Sequence, residues 1–145
     1  RDRSPSRGLG DVYKRQVLKE AFGWLWVGFY RVVGDELVLS AFQGPLACTR
    51  IARGRGVCGQ AWAQNRTLIV PDVNAHPDHI ACSSRSQSEI VVPLRDASGA
   101  VWAVLDADAE ALAVFDETDA QGLETIAVWL SEKHGVLSEK HGVIV

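Results

Sequence analysis

The sequence predicts an α+β domain in which an antiparallel sheet carries its helices packed on one face. Three observations predict it. Trp24 to Phe42 and Glu89 to Asp108 each hold two runs of aromatic, β-branched or other apolar residues around a short Gly-containing turn, the pattern of a β-hairpin. A later segment, Asp116 to about Lys133, spaces Leu123, Ile126, Ala127 and Leu130 along one stripe of an α-helix.

In chain order, the first hairpin runs Trp24 to Val33, turns at Gly34-Asp35 and resumes from Glu36 to Phe42. Gly56 to Gln64 has helical composition and follows the glycine-rich loop Gly54 to Gly56. Thr67 to Val70 reads as a short strand. Asp72 to Ser88, rich in Ser, Asn, Asp, His and Pro, reads as a long functional loop with one helical turn. The second hairpin pairs Glu89 to Arg95 with Ala100 to Asp108 around Ala97-Ser98-Gly99. The final helix opens on Asp116, Glu117 and Asp119, where the helix dipole favours anions.

With 145 residues, 47% of them hydrophobic, the chain is the size of one domain with a real core. The net charge is -3, yet Arg1 to Gln16 carry five Lys or Arg against two Asp. Everything after Gln16 is therefore more acidic than the total, which argues against a nucleic-acid surface. Apolar stretches such as Ile90 to Leu94 are too short to cross a bilayer, and no charged-then-apolar leader opens the sequence. Three cysteines are an odd number, unlike the even sets of secreted disulfide frameworks. The expectation is a soluble cytoplasmic protein with no membrane or nucleic-acid partner.

Both ends are unusual. Ser6 to Gln16, SRGLGDVYKRQ, resembles the in-frame translation of a sequencing-library adapter, so residues 1–16 are set aside as an adapter-derived artefact. Leu130 to Val136 reads LSEKHGV, and Leu137 to Val143 repeats it letter for letter. In a helix that repeat sets a Gly at every seventh position, each costing about 1 kcal/mol relative to Ala. Residues 137–145 are accordingly read as a duplicated tail. The expected domain is 17–136, and the absence of any Met fits a chain lacking its N-terminal portion.

Strand alternation sorts the side chains, because residues i and i+2 share a face. Trp26, Gly28 and Tyr30 share one face of the first strand, opposite Leu25, Val27 and Phe29. Val104, Asp106 and Asp108 share one face of the last strand, opposite Ala103, Leu105 and Ala107. The all-apolar sets form a plain core face. The sets that mix aromatics, carboxylates and a glycine have the composition of a binding face, and acids there cost stability if merely buried.

Cysteine packs most often as a small buried hydrophobe, and Cys48, Cys58 and Cys82 must each be weighed against that role. A metal site is a second alternative, since His76, His79 and Cys82 stand three apart and one more thiol completes a zinc-type set. No C-x-x-C pair accompanies them, and no metal is expected.

WVGFY at Trp26 to Tyr30, FQG at Phe42 to Gly44, ACTRI around Cys48, GRGVCG around Cys58, HIAC ending at Cys82, SEIVVPL at Ser88 to Leu94 and VLDAD ending at Asp108 follow one another in order. This series resembles the signature blocks of the free methionine-(R)-sulfoxide reductases. The resemblance implies a GAF fold, cysteine-based reduction of a free amino-acid sulfoxide and recycling by thioredoxin, with no other cofactor. It implies Cys82 as nucleophile, Cys48 as the resolving thiol and Cys58 as a further cysteine able to pair with the nucleophile. It makes Glu89, Asp106 and Asp108 the acidic residues of the pocket, with Glu89 favoured as proton donor and the two aspartates for the substrate ammonium. Trp26 and Tyr30 then wall the pocket around the S-methyl group, and the full-length parent is expected to form homodimers. The sequence departs from the family pattern at Ser83, where an acid is usual, at Ala109 after LDAD, and at Trp102, which replaces a small residue and is expected to crowd the sheet.

The chemistry asks for these residue types. A thiolate attacks the sulfoxide sulfur while an acid protonates the departing oxygen, and a second thiol condenses with the resulting sulfenic acid. A free amino acid also needs carboxylates to match its ammonium, and clustered acids raise one another's pKa so that one can stay protonated. Two alternatives share the fold: a non-catalytic GAF sensor of a small ligand, which leaves the three placed cysteines unexplained, and a redox-sensing interaction protein, which leaves Trp26, Tyr30 and the acids without a role.

Overall fold

The computed structural model describes residues 23–141, with side chains through Gly135. The segment set aside at 1–16 lies outside the described residues. Of the tail expected at 137–145, residues 137–141 continue the last helix and the rest lies outside.

Gly34 turns the chain at a φ of +65°, a conformation glycine adopts without a Cβ penalty. It folds β1 (Trp26–Val33) back on β2 (Glu36–Gln43). A short β3 (Arg50–Ala52), where the sequence predicts no element, extends this hairpin at one edge. Helix α1 (Gly56–Gln64) then leads to β4 (Leu68–Val70) at the opposite edge. After a single 3-10 turn at Val73–Ala75, the long loop returns to β5 (Ser88–Arg95), which turns at Gly99 into β6 (Val101–Ala109). Helix α2 (Glu117–His141) follows. The strand order is β3-β2-β1-β6-β5-β4, antiparallel at every pairing. No described helix is long and apolar enough to cross a membrane.

The expected α+β class with an antiparallel sheet is observed. Within it, the placement of the helices on a single face needs correction: α2 covers one face and α1 the other. Val27, Phe29, Ile90, Val92, Leu105 and Ala107 pack with Ala120, Leu123, Ala127 and Leu130 of α2. Trp26, Tyr30, Leu37, Val91 and Val104 pack with Val57, Cys58, Ala61 and Trp62 of α1. The physical reason lies in β5, where every residue from Ser88 to Leu94 is buried. A strand buried on both sides must be covered on both sides. Leu25 also departs from its expected face, because it precedes β1 and packs on the α1 side with Trp26.

Trp102 does not crowd the sheet. It lies on the α2 side, stacked on His134 at 3.7 Å, and its indole N–H donates to Ser131 Oγ at 3.0 Å.

Helix α1 seats closely against the turn before it. A Cβ on Gly59 would stand 2.5 Å from the carbonyl oxygen of Ala52 and 3.1 Å from the backbone nitrogen of Gly54. Neither backbone atom can rotate away as a side chain can. Gly59→Ala is expected to destabilise the domain by about 1–3 kcal/mol through overpacking, read as a lower midpoint in urea unfolding; an unchanged midpoint contradicts this account of the helix seat.

Candidate active site

The register of three strands sets out the site. Across β1, β6 and β5, Trp26 pairs with Asp108 and Asp108 with Glu89, while Gly28 pairs with Asp106 and Asp106 with Val91. All point to the α1 side. Two aromatics and three acids thereby meet under the helix that carries Cys58.

Gly28 makes room for this arrangement, because a Cβ there would collide with the outer ring of Trp26. The Trp26 indole lies along the sheet, stacked on Tyr30 at 6.0 Å and on Phe42 at 5.7 Å. Its N–H donates to the Pro45 carbonyl at 3.1 Å, and the Tyr30 hydroxyl donates to the Cys48 carbonyl at 2.8 Å. Each ring thus holds the loop that bears Cys48 as well as lining the space beside it.

Cys48 and Cys82 are joined by a disulfide, with Cα atoms 5.3 Å apart across 34 residues of sequence. The loop that brings Cys82 is fastened to α1. The Gly56 N–H donates to the Asp78 carbonyl at 3.1 Å, and Arg55 Nε pairs with Asp78 Oδ2 at 2.8 Å. Gln60 donates to the Pro77 carbonyl at 3.0 Å, and its oxygen lies 2.8 Å from His76 Nε2.

Cys82, Cys58, Trp26, Tyr30, Glu89, Asp106 and Asp108 all line one cavity. Cys48 stands at its edge through the disulfide. Of the expected site residues, none is left elsewhere. His76, His79 and Cys82 are not gathered as ligands: His76 is engaged by Gln60, and Cys82 by Cys48. The group whose donor atoms do converge is Cys58, Glu89 and Asp106, all within 4.8 Å of one another.

Cys58 is 4% exposed, Asp106 5% and Glu89 7%. No Lys or Arg is among the residues lining the cavity. Burial pushes the Asp106 carboxyl well above the usual carboxylate range, and the charges of Asp108 and Glu89 push it further. Asp108 is raised by burial and then by Glu89, while hydrogen bonds with Asp106 and Ser86 pull the other way. Burial, followed by Asp106, also raises the Tyr30 hydroxyl and the Cys58 thiol. The Cys58 thiol donates to Glu89 Oε2 at 4.0 Å. Asp106 Oδ1 is buried with no hydrogen-bond partner among the described residues. A pocket with these properties accepts a small cation, which relieves the crowded acids, beside an aromatic wall.

The GAF domain family matches residues 15–132. "GAF domain-containing protein A" of Dictyostelium discoideum is 59% identical over 110 residues, 75% of this chain and 69% of the relative. The free methionine-R-sulfoxide reductase of Escherichia coli is 44% identical over 107 residues, 74% of this chain and 64% of the relative. The chain thus spans under two thirds of the bacterial enzyme's length. A crystal structure of the free methionine-R-sulfoxide reductase of Neisseria meningitidis, in complex with its substrate, superposes with a TM-score of 0.81 at 64% identity, covering 83% of this chain and 73% of that one. The chain belongs to the free methionine-R-sulfoxide reductase family of GAF domains.

Several lining residues of this family member escaped the sequence reading. Ser86, His79 and Ile80 line the cavity from the long loop. No periodicity runs through that loop, so nothing in the sequence ranks its serines and histidines. Phe42 carried a signal that went unused, since it follows the hairpin alternation and lies beside Gly28 in the β1–β2 register.

The buried acids tie stability to pH. The folded-state pKa of Asp106 lies above its unfolded value of about 3.9. The folded chain therefore binds more protons than the unfolded chain between those values. The stability this contributes is fully present below the unfolded pKa and is lost as pH rises through the folded one. Urea midpoints of the disulfide form are expected to fall less steeply with rising pH in Asp106→Asn than in the unchanged chain; equal slopes contradict a buried, proton-holding Asp106.

Proposed function

We propose that this chain reduces free L-methionine-(R)-sulfoxide to methionine. The observation that carries the reading is the disulfide between Cys48 and Cys82 at a cavity lined by Trp26, Tyr30, Glu89, Asp106 and Asp108. A cysteine pair that closes beside an acid-rich pocket is what remains after a thiol has taken an oxygen from a substrate bearing an ammonium group and a second thiol has expelled it.

In the first step the Cys82 thiolate attacks the sulfoxide sulfur. Glu89 supplies a proton to the sulfoxide oxygen, which passes to Cys82 Sγ as its bond to the substrate sulfur and the transient sulfur–sulfur bond both break, so that methionine leaves and Cys82 remains as a sulfenic acid. In the second, the Cys48 thiol attacks that sulfenic sulfur, water departs and the observed disulfide forms. One sulfoxide consumes two thiols and yields one thioether, one disulfide and one water. A dithiol reductant, thioredoxin, then returns both cysteines to thiols by exchange through Cys48 or Cys82.

Asp106 and Asp108 receive the substrate ammonium, which fills the place of the absent Lys or Arg among the acids. The Trp26 and Tyr30 rings hold the S-methyl end. Cys58, hydrogen-bonded to Glu89 in the cavity, is a reserve thiol able to pair with Cys82 without being required. The scheme uses no prosthetic group and suits the reducing cytoplasm, where thiols are regenerated. The protein is read as a homodimer.

Turnover of free methionine-R-sulfoxide by the chain with dithiothreitol is expected to vanish in Cys82→Ser and to survive in Cys58→Ser. Asp108→Asn is expected to lower kcat/KM by about 10- to 100-fold, the worth of one hydrogen bond to a charged group. Full activity of Cys82→Ser overturns the reading, and so does equal reduction of peptide-bound methionine sulfoxide.

A further inference from the structure

Cys58 is the one free thiol among the described residues, and the proposed reaction does not require it. Its surroundings are unusual for a spare cysteine. Its sulfur shares a 4.8 Å neighbourhood with one carboxylate oxygen each from Glu89 and Asp106, and all three residues are buried. They come from three elements, α1, β5 and β6, so their convergence is a product of the tertiary fold and not of local sequence. The second observation is independent of that proximity: Asp106 Oδ1 is buried with no hydrogen-bond partner among the described residues, in a side chain 5% exposed that faces the cavity. A buried acceptor left unpaired is destabilising unless something fills its lone pairs.

We propose that Cys58, Glu89 and Asp106 form a binding site for one thiophilic divalent cation of the zinc and cadmium class. The donor set selects that class, because a thiolate favours zinc-like ions whereas magnesium and calcium take oxygen ligands alone. The count fits as well: three protein ligands with water in the fourth position is a common tetrahedral arrangement. Bond lengths of about 2.0–2.3 Å set tetrahedral donors roughly 3.5 Å apart. From donors within 4.8 Å of one another, the three side chains therefore need to contract by about 1.3 Å at most. The cavity, of about 50 Å³, suits an ion with a few waters, each needing roughly 10–15 Å³. Each metal bond formed at a protonated thiol or carboxyl releases that proton to solvent, and the ion takes over the charge balance that the protons maintained.

The site goes beyond the reductase chemistry and needs neither Cys82 nor Cys48. One consequence does rest on the proposed function: the ion and the substrate ammonium share Asp106, so bound cation excludes substrate and inhibits turnover.

The test uses the chain with its Cys48–Cys82 disulfide intact and thiol reagents absent, so that binding is read without any activity. Titration with cadmium chloride is expected to raise the ultraviolet thiolate-to-cadmium charge-transfer band, saturating at one ion per chain, with zinc chloride displacing it. Cys58→Ser is expected to remove the band. Asp106→Asn and Glu89→Gln preserve shape and are each expected to weaken binding about tenfold or more, since lost partners around a metal cost at least that much. Circular dichroism shows that each variant is folded. Absence of the band in folded chain with one titratable thiol overturns the proposal, as does unchanged affinity in both carboxylate variants, which assigns the metal to the thiol alone. Neither result bears on sulfoxide turnover by Cys82.

Discussion

Gathering three carboxyl groups on one face of the sheet, Glu89 and Asp106 buried and Asp108 half-buried, with no basic side chain among the residues lining their cavity, is the constraint on which the rest of the structure turns. Taken alone it opposes folding, because a desolvated carboxylate is costly and three together repel. The fold tolerates it by pushing the Asp106 and Asp108 carboxyls toward their protonated forms and by embedding the acids in a well-covered sheet. The opposite face, with Val27, Ile90, Val92, Leu105 and Ala107 under α2, is a continuous apolar core. The α1 side carries an apolar cluster of its own, with Leu37, Val91 and Val104 against Val57 and Trp62, and the acids lie beside it. Such an arrangement is common where function demands local strain on the energy balance.

Much of this was legible before any coordinates. Period-two alternation in WVGFY and VLDAD placed Trp26 and Tyr30 with Asp106 and Asp108, because the pleat leaves no freedom in which face a residue takes. The turns at Gly34 and Gly99 and the span of α1 were equally plain, each being marked by glycine. What the alternation could not give was the second helix-covered face. The clue was present in SEIVVPL, an unbroken buried run with no solvent side, but a continuous run is ambiguous when read alone. The short β3 was illegible for the opposite reason. Three residues, two of them exposed, carry no period, and Arg50 to Ala52 are strand only because Glu36 to Val38 offer an edge.

The long loop was recognisable as functional from its composition, yet its internal order was not. Which of its residues reach the cavity depends on Asp78, which adopts a positive φ of 58°, and on the contacts from Arg55 and Gln60 that fasten it. These are interactions between segments far apart in sequence, formed by side chains with no pattern to read. The pairing of Cys48 with Cys82 was likewise supplied by family resemblance, and a chain with three thiols permits three pairings. Geometry selects one, because the Tyr30 hydroxyl and the Trp26 indole N–H hold the Pro45 to Cys48 loop above the sheet.

The 34-residue separation of that disulfide has a thermodynamic side. A crosslink closing a loop of this size removes unfolded-chain entropy worth about 4 kcal/mol in the chain-entropy treatment, a large share of a small domain's net stability. In the proposed cycle the domain therefore becomes sturdier each time it is spent and looser each time it is recharged. Reducing equivalents that restore the thiols also return the molecule to its most protease-sensitive form, so that cellular lifetime and redox workload are linked through one covalent bond.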